Sequence, residues 1–312
     1  MRAKILLMMG LMALASAAIT AQRGASFSAR SELVVLDVAV TDGRGGFVSG
    51  IPADAFRVLE EGRPQTVSFF AEQDTPASIA LLIDASGSML VTRDRMIAGI
   101  TSLAESSHPD DEFLPLVFNE RVRHVVPSES HFTSDPKELR EALTNSLDVQ
   151  GRTAFHDALA EALEGITHGQ HERRVLIVLS DGGDNASHLT FNEVLQKVQA
   201  SNVVIYTIAL LDPLSLERNP KGLRRLAEVT GGLAFEPRSV SVVGKVFRSI
   251  AADIRSRYTL AYEPAESQSD GRLKRVSVLV HAPDRKGLKV RTRTGYVAAA
   301  PATPAVDDED SR

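Results

Sequence analysis

Three aliphatic runs constrain this chain more than anything else in it: Ile79–Ile83 (IALLI), Val175–Leu179 (VLIVL) and Val203–Leu210 (VVIYTIAL). None of them alternates apolar with polar. Such runs suit strands buried on both faces, as in a parallel sheet covered by helices. The segments between them follow the helical period. The pattern predicts strands at 79–84, 113–118, 121–126, 174–180, 203–209 and 233–236, and helices at 89–106, 135–146, 154–167, 190–200, 221–230 and 239–255. Only Asn119-Glu120 joins 113–118 to 121–126, so that pair must be an antiparallel hairpin at the sheet edge. The other connections carry helices and are expected to be right-handed crossovers. The expected class is α/β: a doubly wound, mostly parallel sheet with one antiparallel edge strand, spanning 76–256.

Two β-patterned segments flank this region. Residues 32–72 begin with ELVVLDVAV, where Val34, Leu36, Val38 and Val40 share a face, and turn at Asp42-Gly43 toward Phe47 and Val48. A short turn at 54–56, a strand from Phe56 to Leu59, a tight turn at Glu61-Gly62 and a strand at 66–71 follow. Residues 257–297 contain RYTLAYE, KRVSVLVH and LKVRTRT. Each segment alone is too small to enclose a core. If the α/β region is an insertion with adjacent ends, the two segments complete one small β-rich domain.

The chain ends carry different information. Arg2 and Lys4 precede the apolar run Ile5–Ala18, and small residues follow, which is the pattern of a secretory signal peptide covering 1–21. The run is shorter than the ~20 residues a spanning helix needs. An exported protein, periplasmic or secreted, is expected. There is no cysteine, which excludes disulfides and attachment of lipid to a thiol. Net charge of −5 argues against nucleic acid as a partner. Residues 298–312 end in the acidic run Asp307–Asp310 and are expected to be disordered.

The candidate chemistry lies at strand ends. Asp84, Ser86 and Ser88 follow the first α/β strand in DASGS, Asp181 follows the strand at 174–180 in LSDGG, and Thr153 stands before a helix in GRTAF. In open α/β sheets, ligands bind outside the carboxyl ends of strands where the strand order reverses. Two carboxylates and three hydroxyls make an all-oxygen set. It suits Mg²⁺, with Mn²⁺ or Ca²⁺ as alternatives, and disfavours Zn²⁺ or copper. Each piece also has a local reading: DxSxS and Asp181-Gly182 as turns, an anion cradle, or Thr153 as a helix N-cap. Asp184 and Asn185 read as turn residues, Asp157 as a favourable charge at a helix start, and the basic run Arg285–Arg293 as the wet face of a strand. No serine-hydrolase elbow, P-loop or dinucleotide fingerprint is present.

DASGS at 84–88, Thr153 in GRTAFHDAL and Asp181 in LSDGG together resemble the metal-ion-dependent adhesion site (MIDAS) of von Willebrand factor type A (VWA) domains. The resemblance implies Ser86, Ser88 and Thr153 as metal ligands, with Asp84 and Asp181 coordinating directly or through water. The flanks, VVLDVAVTDGRGGFVSGIPADAFRVLEEGRPQTVSFF and RTRTGY, resemble those of a bacterial family of exported VWA-related proteins. Arg152 departs from the pattern, since many relatives have glycine there. The implied function is a non-enzymatic, metal-dependent protein-binding or adhesion module whose partner supplies an Asp or Glu carboxylate. The alternative is a metal-dependent phosphoester hydrolase using the ion as a Lewis acid.

Overall fold

The computed structural model describes residues 33–72, 74–85, 93–146, 151–210, 218–264 and 271–297. The expected signal peptide and acidic tail lie outside the described residues, as do Ser86 and Ser88.

The aliphatic runs form the centre of a six-stranded sheet. Its strands are β5 (Ala77–Asp84), β6 (Glu112–Phe118), β7 (Val122–His124), β8 (Arg173–Ser180), β9 (Val203–Ala209) and β10 (Ala234–Phe235), in the order β10-β9-β8-β5-β6-β7. All neighbours are parallel except β6 and β7, the predicted hairpin. The order reverses at β5, which has β6 on one side and β8 on the other.

Helices cover both faces. Alternate residues of one strand point to opposite layers, so Ile79, Leu81 and Ile83 pack with α1 (Arg93–Ser106), α2 (Pro136–Ser146) and α6 (Val243–Arg255). Ala80 and Leu82 face α3 (Phe155–Gly165), α4 (Phe191–Ala200) and α5 (Pro220–Thr230). Continuous burial of β5, β6 and β9 follows directly from this two-sided cover. Among the described residues no helix is long and apolar enough to cross a membrane.

The flanking segments pair with one another in two four-stranded antiparallel sheets. One has the order β13-β1-β11-β4, from β1 (Val34–Thr41), β4 (Val67–Ala71), β11 (Arg257–Tyr262) and β13 (Lys289–Arg291). The other is β14-β12-β2-β3, from β2 (Phe56–Glu60), β3 (Arg63–Gln65), β12 (Leu273–Val280) and β14 (Gly295–Val297). Val34, Leu36, Val38 and Val40 meet Tyr258, Leu260, Tyr262, Val276 and Val278 in a shared core. The chain enters the six-stranded sheet after β4 and returns in β11, and these two strands are hydrogen-bonded neighbours (Thr259 opposite Ala71). Insertion of the α/β region therefore leaves the outer sheet unbroken.

Three expectations need correction. Phe47 makes only an isolated bridge to Thr41, not a return strand. The helix expected over 239–255 begins as a 3-10 turn at Val240–Val242 and is α-helical from Val243. Of the β-patterned segment at 288–294 only Lys289–Arg291 is strand (β13), and β14 follows it in a different sheet. Between them the backbone is drawn to the helical layer: the Thr294 N–H donates to the Val229 carbonyl at 3.0 Å. Arg293 is buried, donating to the carbonyls of Gln199 (2.8 Å) and Gly295 (2.9 Å) and to Asn202 Oδ1 (2.6 Å). Arg291 likewise turns inward to Asp253. The basic run is thus not a wet face, because two of its arginines are structural.

Candidate functional site

Parallel register brings the strand ends together. Ile83 of β5 lies opposite Leu179 of β8, so Asp84 and Ser180 end their strands side by side. The Ser180 hydroxyl donates to Asp84 Oδ2 at 2.7 Å, and both residues have no exposed surface. Ser180 also accepts from the Gly182 N–H at 2.9 Å. This serine went unremarked in the sequence, where it reads as the last residue of an aliphatic strand.

Asp181 follows directly and is 6% exposed. Its Oδ1 accepts from the Gly183 N–H at 2.8 Å. Gly182 permits this turn: its φ is 78°, and a Cβ there would stand 2.7 Å from the Asn219 carbonyl oxygen. Asn219 in turn donates its N–H to the Asp181 carbonyl at 3.0 Å and caps α5. Asp181 has no ion-pair partner among the described residues. A buried carboxylate without a counter-charge is costly.

Thr153 is placed from the other side of the crevice. The Ala154 N–H donates to the Asn119 carbonyl at 2.8 Å, seating the 151–154 loop on the end of β6. Asn185 then clasps Thr153 twice. Its side-chain oxygen accepts from the Thr153 N–H at 2.9 Å, and its own N–H donates to the Thr153 carbonyl at 2.9 Å. Thr153 is no N-cap: that position in α3 belongs to Ala154, without a side-chain cap bond.

The cap comes instead from the loop after β8. Asp184 Oδ2 accepts from the His156 N–H at 2.9 Å, and Ser187 Oγ accepts from the Asp157 N–H at 3.1 Å. Asp157 accepts from the N–H groups of His188 and Leu189, both at 2.9 Å. Burial raises its carboxyl, but these hydrogen bonds and His188 outweigh that and hold it below the usual aspartate range. Asp184 and Asn185 are therefore more than turn residues, since they join the Asp181 loop to the Thr153 loop. Asp184 and Ser187 also occupy the His156 and Asp157 N–H groups that an anion at this helix start would use. Arg152 donates from its guanidinium to the Asn185 carbonyl, so its charge is tethered beside Thr153.

Replacing Asp184 with Ala is expected to cost about 1–2 kcal/mol, the value of a lost N-terminal cap. Thermal unfolding of the variant checks it; a change below about 0.5 kcal/mol contradicts this role.

The donor chemistry suits a hard cation: Asp84 and Asp181 supply carboxylates, Thr153 a hydroxyl, and no sulfur or imidazole stands among them. The model of the von Willebrand factor type A domain matches residues 78–249, more than half of the chain. The chain belongs to that family. Its fold is similar to a von Willebrand factor type A protein from Catenulispora acidiphila, at 16% identity and a TM-score of 0.50, covering 85% of this chain and 74% of that one. The match is longer than the VWA region alone. Also similar are the vWF domain of the type V pili tip protein Mfa5 from Porphyromonas gingivalis (13% identity, TM-score 0.48, 58% of this chain and 95% of that one) and the PilB minor pilin from Streptococcus sanguinis (11%, 0.48, 60% and 63%). No curated protein matches the sequence.

Proposed function

We propose that this VWA protein is an exported binding module that holds Mg²⁺, with Mn²⁺ or Ca²⁺ as alternatives, through Asp84, Ser86, Ser88, Thr153 and Asp181. The observation that carries the proposal is the pair of buried carboxylates at the strand-order reversal, one of them, Asp181, without a counter-charge among the described residues. An ion held there would supply an electrophilic centre open to an Asp or Glu carboxylate of another protein. The chain's own residues prepare the site. Ser180 fixes the orientation of Asp84, the Gly183 N–H orients Asp181, and Asn185 holds Thr153 against the loop that carries Asp181. Hydroxyl ligands neutralise little of the ion's charge, which favours an acidic partner. Adhesion is the natural setting for such chemistry, and the pilus proteins with similar folds fit it. The signal-peptide pattern at 1–21 supports export.

The test uses both stability and binding. Mg²⁺ is expected to raise the Tm of the wild type in proportion to ln[Mg²⁺], and a chelator to reverse it. Asp181→Asn is expected to lose that response. Without metal, the variant is expected to be as stable as the wild type or more so, because an uncompensated buried charge has been removed. Wild type whose Tm ignores Mg²⁺, or metal-free Asp181→Asn that is strongly destabilised, would sink the proposal.

A further inference from the structure

Four helices of the α/β region place charge as their dipoles favour, and two adjoining ones do not. Helices α1 to α4 each carry an acid in the first turn: Asp94, Glu138, Asp157 and Glu193. Negative charge suits the positive end of a helix. Helices α5 and α6 have no acid there and carry a lysine instead, Lys221 and Lys245. Both lysines oppose the helix dipole, so helix stability does not account for them.

They belong to a wider basic stretch. From Lys221 to Arg248 the chain places six of its 35 lysines and arginines but only two of its 40 acids, Glu228 and Glu236. All six cations are exposed: Lys221, Arg224 and Arg225 on α5, Arg238 after β10, and Lys245 and Arg248 on α6. Arg224 pairs with Glu236 at 2.5 Å, which ties the outer face of α5 to the loop after β10. The other five are in no ion pair among the described residues.

Topology puts this stretch beside the crevice. Helices α5 and α6 cover opposite faces of the sheet, and β10 is the edge between them. Strand β10 runs parallel to β9, so Arg238 leaves the sheet at the end where Asp84 and Asp181 stand. Helix α5 starts at that end too: Asn219, its cap, donates its N–H to the Asp181 carbonyl at 3.0 Å. We propose that this basic shoulder docks an acidic segment of the protein partner whose carboxylate enters the crevice. For the class of partner the proposal rests on the function proposed above; for the surface it rests on the charges alone. Outside the stretch acids outnumber cations, which disfavours an extended polyanion such as nucleic acid and favours a short acidic segment. Exposed charges of this kind act mainly by steering encounter and selecting the partner.

The experiment titrates the full chain with fluorescently labelled poly-L-glutamate in the presence of chelator. The wild type is expected to bind, with affinity falling about tenfold or more between about 50 and 300 mM NaCl as the charges are screened. The triple variant Lys221→Glu, Arg225→Glu, Lys245→Glu is expected to lose about tenfold or more at low salt. A control of equal net charge, Arg57→Glu, Lys286→Glu, Lys289→Glu, reverses exposed cations of the β segments and should stay within about twofold. The shoulder variant should melt no lower than the wild type, because the changes at 221 and 245 agree with the helix dipoles. No binding at low salt, equal losses in the two variants, or a DNA duplex that competes as well as poly-L-glutamate would each overturn the proposal. Binding that needs Mg²⁺ and is unchanged in the shoulder variant also overturns it while the crevice reading stands. Binding lost in the shoulder variant but indifferent to Mg²⁺ and to Asp181→Asn supports the shoulder and counts against the crevice reading.

Discussion

Replacing Asp253 with Ala should lower stability by about 3–5 kcal/mol, read as a fall in Tm of roughly 10 °C. Asp253 lies near the end of α6 with no exposed surface, and two arginines converge on it. Arg257, four residues on at the start of β11 and itself 2% exposed in its side chain, donates to Asp253 Oδ2 at 2.8 Å. Arg291 from β13 reaches Oδ1 at 2.5 Å, and the Tyr206 hydroxyl donates to Oδ2 at 2.5 Å. Both arginines also donate to the Gly231 carbonyl. One carboxylate therefore joins the last helix, the central sheet, the end of α5 and the outer β sheets. Its removal strands a buried guanidinium in a site that cannot hydrate it, which is why the loss exceeds that of an exposed ion pair.

The same network sets a pH dependence. Burial alone raises the Asp253 carboxyl, but Arg257 first, then Arg291, outweigh it and hold the group below the ordinary aspartate value. A folded pKa below the unfolded one means that its contribution is complete above the unfolded value of about 3.9. It is lost as pH falls from there through the folded pKa. Acid denaturation of the wild type and Asp253→Asn should thus converge at low pH, with the gap between them opening as pH rises through the folded pKa and complete above about 4. A gap independent of pH would show that the charge of Asp253 contributes nothing.

Periodicity is local, and what it determines was legible. The runs at 79–83, 175–179 and 203–210 became adjacent parallel strands because continuous burial leaves no other architecture. Asn119-Glu120 could join only an antiparallel pair, and β6 and β7 are one. Asp84, Thr153 and Asp181 reach one end of the sheet for the same topological reason. What escaped was chemistry between distant segments. Arg291 and Arg293 alternate with apolar residues as a wet face does, yet their partners, Asp253, Gln199 and Asn202, lie far along the chain. One signal existed: Asp253 and Arg257 are spaced as an i,i+4 pair at the end of an apolar helix, IAADIRSRY, where charge is expected only if paired. Asn185 and Asp184 escaped for a related reason. Their side chains serve a loop 30 residues upstream, and a turn signal reports only on its own backbone.

Gly232→Ala should be as damaging as the loss of Asp253, for a steric reason and at a residue without chemistry of its own. Gly232 follows the C-cap of α5, where its N–H closes the helix on the Ala227 carbonyl at 2.9 Å. Its Cα is pressed against the middle of β9. An added Cβ would overlap the Ile205 carbonyl oxygen and lie 2.7 Å from the Ile205 carbonyl carbon. These are backbone atoms of a central strand paired with β8, so no rotamer change relieves the clash. Helix α5 must move away from the sheet, carrying the Gly231 carbonyl off Arg257 and Arg291. Overpacking typically costs 1–3 kcal/mol when side chains can yield; here they cannot, and the loss should reach about 3 kcal/mol or more. Gly271→Ala is the control. It has the less favourable backbone, φ 67°, but nothing within 4 Å of a new Cβ, so only the left-handed strain of about 1–2 kcal/mol applies. Urea unfolding of the two variants beside the wild type separates the effects. If Gly232→Ala costs no more than Gly271→Ala, the contact of α5 with β9 is looser than its geometry requires. The Asp253 network would then depend on side chains alone and not on the position of this helix.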